Sequence, residues 1–338
     1  MGEETEFESS GKIQSDEYIT EKEDSVVIEE EKSSTRRLRI FCPVCGMLSP
    51  DKRYLVEHPF PNVMEYHYKG RGKIDCDYVM DDNEDVINLV ESVSEQIISV
   101  IKNKYKSDAL IVNAENAASG YGLTKKIAAQ LIEAGVDAIT LGNHAWDQKE
   151  MLSYIEECPK IVRALNYPTG VPGKGYYELK LNNDKKILII QVMLRLFMGL
   201  SLDDPFSVMK NFLQKEKLGS TCSAIFIDMH GEATSEKNAF GHYFDGKVSA
   251  ILGTHTHIPT ADAKILDGGT AYQTDVGMTG DYNSVIGMDK ENPIHGFVKG
   301  YRSEGRFFPA DNKIIICGTF IETDDSTGLS LKIQPFQL

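Results

Sequence analysis

The chain has no apolar run near the roughly 18 residues that a membrane helix needs, so no helical span is expected. Its N-terminus lacks the basic-then-apolar order of a signal peptide. Glu6 stands where a myristoylation signal wants Ser or Thr. Basic residues are the minority, with 36 Lys and Arg against 51 Asp and Glu, a net charge of −15. Nothing would broadly neutralise phosphates, so general nucleic-acid binding is not expected. Cysteine is sparse: six residues, at 42, 45, 76, 158, 222 and 317, of which only the first two are close neighbours. Scattered thiols without a secretory signal read as reduced and cytoplasmic. No internal repeat at solenoid spacing is visible.

With 338 residues and 41% apolar content, the chain suits one large α/β domain or two small ones. Residues 1–32 hold twelve Asp and Glu against three Lys. Such a segment cannot offset its chain entropy by burial, so residues 1–36 read as a disordered acidic tail, residues 37–85 as a divergent opening, and residues 86–338 as the main domain.

From residue 86 the organisation is regular. Val86, Leu89, Val90, Val93, Ile97, Val100 and Ile101 share one face at helical spacing. A second helix, LTKKIAAQLIEAG, has Thr124 near its start and Gly135 past its end. Short apolar runs at 108–113, 136–141, 186–193, 222–227 and 247–253 read as strands, with later ones at 270–277 and 312–322. Strands that alternate with helices and are apolar throughout argue for sheets covered on both faces.

The residues that follow these strands are unusual for turns. DALIVN runs into Glu115 and Asn116, and VDAITL into Asn143, His144 and Asp147. CSAIFI runs into Asp228, His230 and Glu232, and KVSAILG into His255 and His257. In α/β sheets ligands bind outside the carboxyl ends of strands, so four such ends can converge. Carboxylate, amide and imidazole together suit first-row cations such as Mn, Fe or Zn. A carboxylate such as Glu115 can bridge two ions, which lower the pKa of a bound water and stabilise a displacement at phosphorus. His255 and His257 would point the same way in an extended segment. Taken singly, each residue has a plainer role. His242 and His295 read as ordinary surface or core histidines, Asn116 and Asn143 alone as turn residues, Asp147 and Asp228 as orienting groups or helix caps, and Trp146 as packing.

Asn113-Ala-Glu-Asn116, GVDAITLGNHAWDQKE, DMHGEATSEK, GTHTHIPTAD and GGTAYQTDVGMTGDYNSVIGMDKE resemble the YmdB-type metallophosphoesterases of the calcineurin-like superfamily. The resemblance covers residues 86–338. It implies a four-layer α/β/β/α sandwich with a two-metal site, Fe or Mn before Zn. Glu115 would bridge the ions, Asn143, His230 and His255 would complete one, and His257 with Asn116 nearby the other. His144 would face the phosphate as general acid or transition-state stabiliser. The implied activity is hydrolysis of small phosphodiesters, 2′,3′-cyclic nucleotides foremost, by attack of metal-bound hydroxide, in a homo-oligomer.

The opening departs from that pattern. The family's first strand ends Gly-Asp-Val-x-Gly, and its Asp ligates a metal. Laid on RLRIFCPVCG, that Asp falls on Pro43, which has no donor oxygen. Three readings stand. The Asp is lost and one ion is held poorly; or KIDCDYV is the working strand, with Asp77 or Asp75 as ligand; or Cys42, Cys45, His58 and Cys76 belong to a zinc-binding insert. The lost Asp motivates an alternative function, a non-catalytic nucleotide-binding or scaffold protein.

Overall fold

The computed structural model describes residues 97–181, 185–301, 307–310 and 313–338, together with the backbone of 39–41. All of these lie in one compact unit, Thr35–Leu338. The acidic tail, Pro43, Asp75, Asp77, and the four residues of the suggested zinc insert, Cys42, Cys45, His58 and Cys76, lie outside the described residues.

The fold is mixed α/β. One sheet has the order β5-β6-β7-β8-β10-β9, formed by Tyr176–Lys180, Lys186–Met193, Ala224–His230, Ala250–Thr254, Ala271–Gln273 and Lys264–Ile265. Its central strands β6, β7, β8 and β10 are parallel, so their carboxyl ends share one edge. A second sheet is parallel throughout: β2 (Ile111–Asn113), β3 (Ala138–Thr140) and β4 (Ile161–Val162). A third joins β1 (Arg39–Phe41), β13 (Cys317–Thr323) and β14 (Ser330–Gln337), all antiparallel. β11 (Gly280–Asp281) and β12 (Ile314–Ile315) form a small ribbon. Backbone pairing of Arg39–Phe41 with β13 places a strand directly before Cys42.

The apolar runs are explained by burial on two sides. In β6, Ile187 and Ile189 enter a core shared with Ile111, Ala138, Phe226 and Ile321, while Leu188, Ile190 and Val192 enter another. Alternate residues of a strand point to opposite faces, so a strand covered on both sides must be apolar throughout. The second core is closed by helices α4 (Pro205–Phe212) and α5 (Thr234–Tyr243), through Met209, Phe240 and Phe244. A third core packs α1 (described over 97–105), α2 (Lys125–Glu133) and α3 (Met151–Glu157) on Leu110, Val112, Ile139 and Leu141.

Local signals fix the helix that precedes the site. The Thr124 hydroxyl accepts the Ile127 N–H at 3.2 Å and caps α2. Gly135 ends the turn at φ +104°, a conformation side chains rarely adopt. Among the described residues no helix is long and apolar enough to cross a membrane.

Candidate metal centre

Strands β2 and β3 from one sheet, and β7 and β8 from another, deliver their ends to one place. The carboxylate of Asp228 in β7 joins the sheets. It accepts from Thr140 Oγ1 at 2.5 Å and from Asn113 Nδ2 at 2.9 Å. Its other oxygen accepts from Thr254 Oγ1 at 2.6 Å. Above this junction sits Glu115, whose carboxylate lies 3.1 Å from His230 Nε2 and accepts the His144 N–H at 3.0 Å. Asn143 Oδ1 approaches the same His230 nitrogen at 2.9 Å.

A relay sets the orientation of His230. Its Nδ1–H donates to Thr254 Oγ1 at 2.9 Å, and Thr254 donates in turn to Asp228. The Nε2 atom is therefore turned toward Glu115 and Asn143. His257 is fixed likewise: Nδ1–H donates to the Ile286 carbonyl at 2.8 Å, and Nε2 accepts from Asn116 Nδ2 at 3.0 Å. In His144, Nδ1 pairs with Asp147 Oδ2 at 2.7 Å, which leaves Nε2 for a ligand. His255 lies edge-on to His230, ring centres 4.9 Å apart, with Glu232 at 3.4 Å.

The charges follow from these contacts. Burial opposes ionisation of Glu115, but the His230 charge and hydrogen bond and the His144 N–H hold it down at about 2, so it is a carboxylate. Burial disfavours a charge on His230, but Glu115 and Asp228 prevail and raise its pKa. Burial and the His230 charge push His255 down to about 3. It is therefore neutral, and its contact with Glu232 is polar rather than ionic. Burial raises Asp228, against the hydroxyl and amide groups that hold its anion.

Among the described residues no three His, Cys, Asp or Glu side chains gather tightly enough to hold a cation by themselves. The amides of Asn116 and Asn143, which touch His257 and His230, are further donors beside them. With them, pairwise contacts link a buried carboxylate, two amides and three imidazoles, donor types that first-row cations accept. Gly142 leaves the room: a Cβ there would collide with the Glu115 carboxyl group and with His230 Cε1. Gln191, paired in register with Asp228, has both side-chain amide atoms buried without a hydrogen-bond partner among the described residues.

The structure brings together Glu115, Asn116, Asn143, His144, His230, His255 and His257. The extended geometry considered for the last two does not hold. His255 and His257 stand in a turn with φ of +101° and +67°. Such backbone costs about 1–3 kcal/mol per residue and persists only where the surroundings over-determine it. Trp146 packs edge-on to Tyr167 with ring centres 5.9 Å apart, as a packing residue does. Sequence reasoning missed Thr140 and Thr254, which read as ordinary strand residues. It also missed Lys237 and Asp275, whose side chains are fully buried as a pair at 3.0 Å. An Asp inside the apolar run TAYQTDVG was the available signal.

The chain is similar to several known proteins. A family model described as YmdB-like protein matches residues 89–336. A 2′,3′-cyclic-nucleotide 2′-phosphodiesterase of Bacillus subtilis is 46% identical over 239 residues, 71% of this chain and 88% of that protein. A solved structure of a hypothetical protein from Thermus thermophilus superposes with a TM-score of 0.66 at 42% identity, covering 74% of this chain and 94% of that one. A novel phosphatase from Mycoplasma pneumoniae superposes with a TM-score of 0.67 at 37% identity, covering 73% and 88%. Both the matched span and the level of identity show that the chain belongs to the YmdB-like family.

Proposed function

We propose that the protein is a metal-dependent phosphodiesterase that hydrolyses small phosphodiesters, 2′,3′-cyclic nucleotides foremost. One observation carries this: Glu115 and Asn143 meet the Nε2 of His230 at 3.1 and 2.9 Å, with that nitrogen aimed by the Thr254–Asp228 relay. Glu115 would bridge two ions. Asn143, His230 and His255 would hold one, and His257 with Asn116 the other. The donor types favour Fe or Mn, with Zn acceptable. When bound, the ions lower the pKa of a water and offset charge at phosphorus.

The side chains do the rest. With a cation bound, Asp228 and Thr254 would keep a proton of His230 on Nδ1, and Ile286 one of His257 on Nδ1, so that each Nε2 would serve as the donor. Asp147 holds His144 through Nδ1. His144 would then face the phosphoryl group through Nε2, as general acid toward the departing ribose oxygen or as stabiliser of the developing charge. The neutral state of His255 suits a ligand.

The three separate cores support the four-layer α/β/β/α arrangement. The family match from residue 89 supports a boundary near 86, after a divergent opening and an acidic tail. Free Cys158, Cys222 and Cys317 support a reducing, cytoplasmic location. The exposed Ile294, Phe297 and Val298 of α6 (Glu291–Lys299) support a homo-oligomer.

The test is hydrolysis of 2′,3′-cyclic AMP with Mn²⁺, alongside metal content by elemental mass spectrometry. Replacing both His255 and His257 by Ala should abolish turnover, and unchanged hydrolysis would sink the reading. A second reading is favoured by β1, which leads directly into Cys42 and Pro43: a site short of one carboxylate, and a non-catalytic nucleotide-binding protein. About one ion per chain and no turnover would favour it. About two ions would mean that another residue, Asp77 first, replaces the missing ligand. A further tightly held zinc would assign Cys42, Cys45, His58 and Cys76 to an insert.

A further inference from the structure

Lys237 and Asp275 take no part in the chemistry above, yet both are fully buried. An ammonium and a carboxylate in a core are costly to desolvate and are retained only where their hydrogen bonds are met. Here the contacts of the ammonium, and of the carboxylate oxygen paired with it, lead to the histidine turn. Lys237 Nζ, on α5, donates to the Thr254 carbonyl at 2.8 Å and pairs with Asp275 Oδ2 at 3.0 Å. The same Asp275 oxygen accepts the Thr256 N–H at 3.0 Å. The other oxygen accepts the Gly277 N–H at 2.9 Å.

The pair thus brackets one residue. The peptide before His255 is held by the ammonium through its carbonyl, and the peptide after it is held by the carboxylate through its amide. His255 sits between these anchors at φ +101°, and His257 follows at +67°. Positive φ is uncommon for any residue with a side chain, His included, and persists only where the surroundings hold it. Thr254 is also the residue whose hydroxyl aims His230. A shift of the Thr254 carbonyl would therefore reach three candidate ligands at once.

We infer that Lys237 and Asp275 are positioning residues, a buried ion pair that locks the 254–257 turn so that His230, His255 and His257 stand ready before a cation arrives. Their role toward the ions rests on the metal-dependent reading above. Their role in the turn does not.

Either single replacement strands a lone charge in the core and is expected to unfold the chain. The informative variant is the double Lys237→Met/Asp275→Asn, which removes both charges and keeps an acceptor at 275. Hydrogen–deuterium exchange is followed on the metal-free protein, and Mn²⁺ binding by calorimetry. Exchange over 253–258 should rise about tenfold or more, while the β6 and β7 segments stay protected. Mn²⁺ affinity should fall about 10- to 100-fold, as when groups behind metal ligands are removed. A merely structural role would raise exchange throughout the domain, or lower the melting temperature and leave Mn²⁺ affinity unchanged. Exchange over 253–258 and an affinity both within about twofold of the parent would overturn the proposal. If the parent takes up no Mn²⁺, the metal-dependent reading fails, and the exchange arm still decides the pair. If the double variant does not fold, the parent answers alone: a Thr256 amide exchanging like a free loop amide overturns the anchor.

Discussion

Gly142 shows how tightly the centre is drawn around its residues. A methyl group there would press into the Glu115 carboxylate and the His230 ring. Neither can retreat, since Glu115 is tied to the His144 N–H and His230 to Thr254. Gly142→Ala should therefore cost about 1–3 kcal/mol in urea unfolding, as overpacking does. It should also lose most Mn²⁺-dependent hydrolysis; wild-type turnover would show that the centre tolerates the displacement. Far from the centre, Asp324 organises the β13–β14 turn. Ser326 and Thr327 donate to its carboxylate through hydroxyls and amides and hold it at about 2, below its ordinary 3.8. A depressed carboxylate stabilises the fold above its unfolded pKa and loses that contribution as the pH falls through the folded one. Asp324→Asn should lower the urea midpoint at pH 7 and lower it much less at pH 2. An equal shift at both would refute the linkage. The candidate ligands were legible in the sequence because polar groups interrupt the apolar runs at the strand ends. The left-handed turn of His255 and His257 was not, because it is imposed by residues 237 and 275, distant in sequence.

The elements that were legible are those whose burial is simple. β6 spans residues 186–193, as its apolar run indicates, because cores lie on both of its faces. α2 was legible through its cap, and Thr124→Ala should cost about 1 kcal/mol in urea unfolding; no measurable change would mean the cap bond is not formed in solution. β5 and β14 escaped notice for a physical reason. β5 is half-buried along nearly its whole length and so shows no clean pattern. β14 carries Pro335, which has no N–H to donate and argues against a central strand. It is tolerated because β14 lies at the edge of its sheet, paired only with β13. The run 312–322 reads as one strand but is two, with β12 pairing β11 and β13 pairing β1 and β14. α5 shows no clear apolar stripe in sequence because its buried face includes Lys237 and Gly241, the latter set against the Tyr272 ring.

At the scale of the molecule, the last helix is out of keeping with the rest. In α6 (Glu291–Lys299) only Pro293 is buried. Ile294, Phe297 and Val298 share one face at spacings of three and four, and Tyr301 follows one turn later. Phe297 is 86% exposed and Val298 71%. Single exposed apolar residues are ordinary, whereas a contiguous face of this kind marks an interaction site. A second copy of the chain is the occupant we propose, in keeping with a homo-oligomer. The face is also linked to the centre, because the loop before α6 supplies the Ile286 carbonyl that fixes His257. In sedimentation velocity at micromolar concentration the protein should run as a dimer or larger. Phe297→Asp should shift it toward monomer without changing its far-UV circular dichroism. Because His257 is tied to Ile286, the monomeric variant should also lose affinity for Mn²⁺. A parent protein that is monomeric at these concentrations refutes the assembly, and a dimer indifferent to Phe297→Asp places the interface elsewhere.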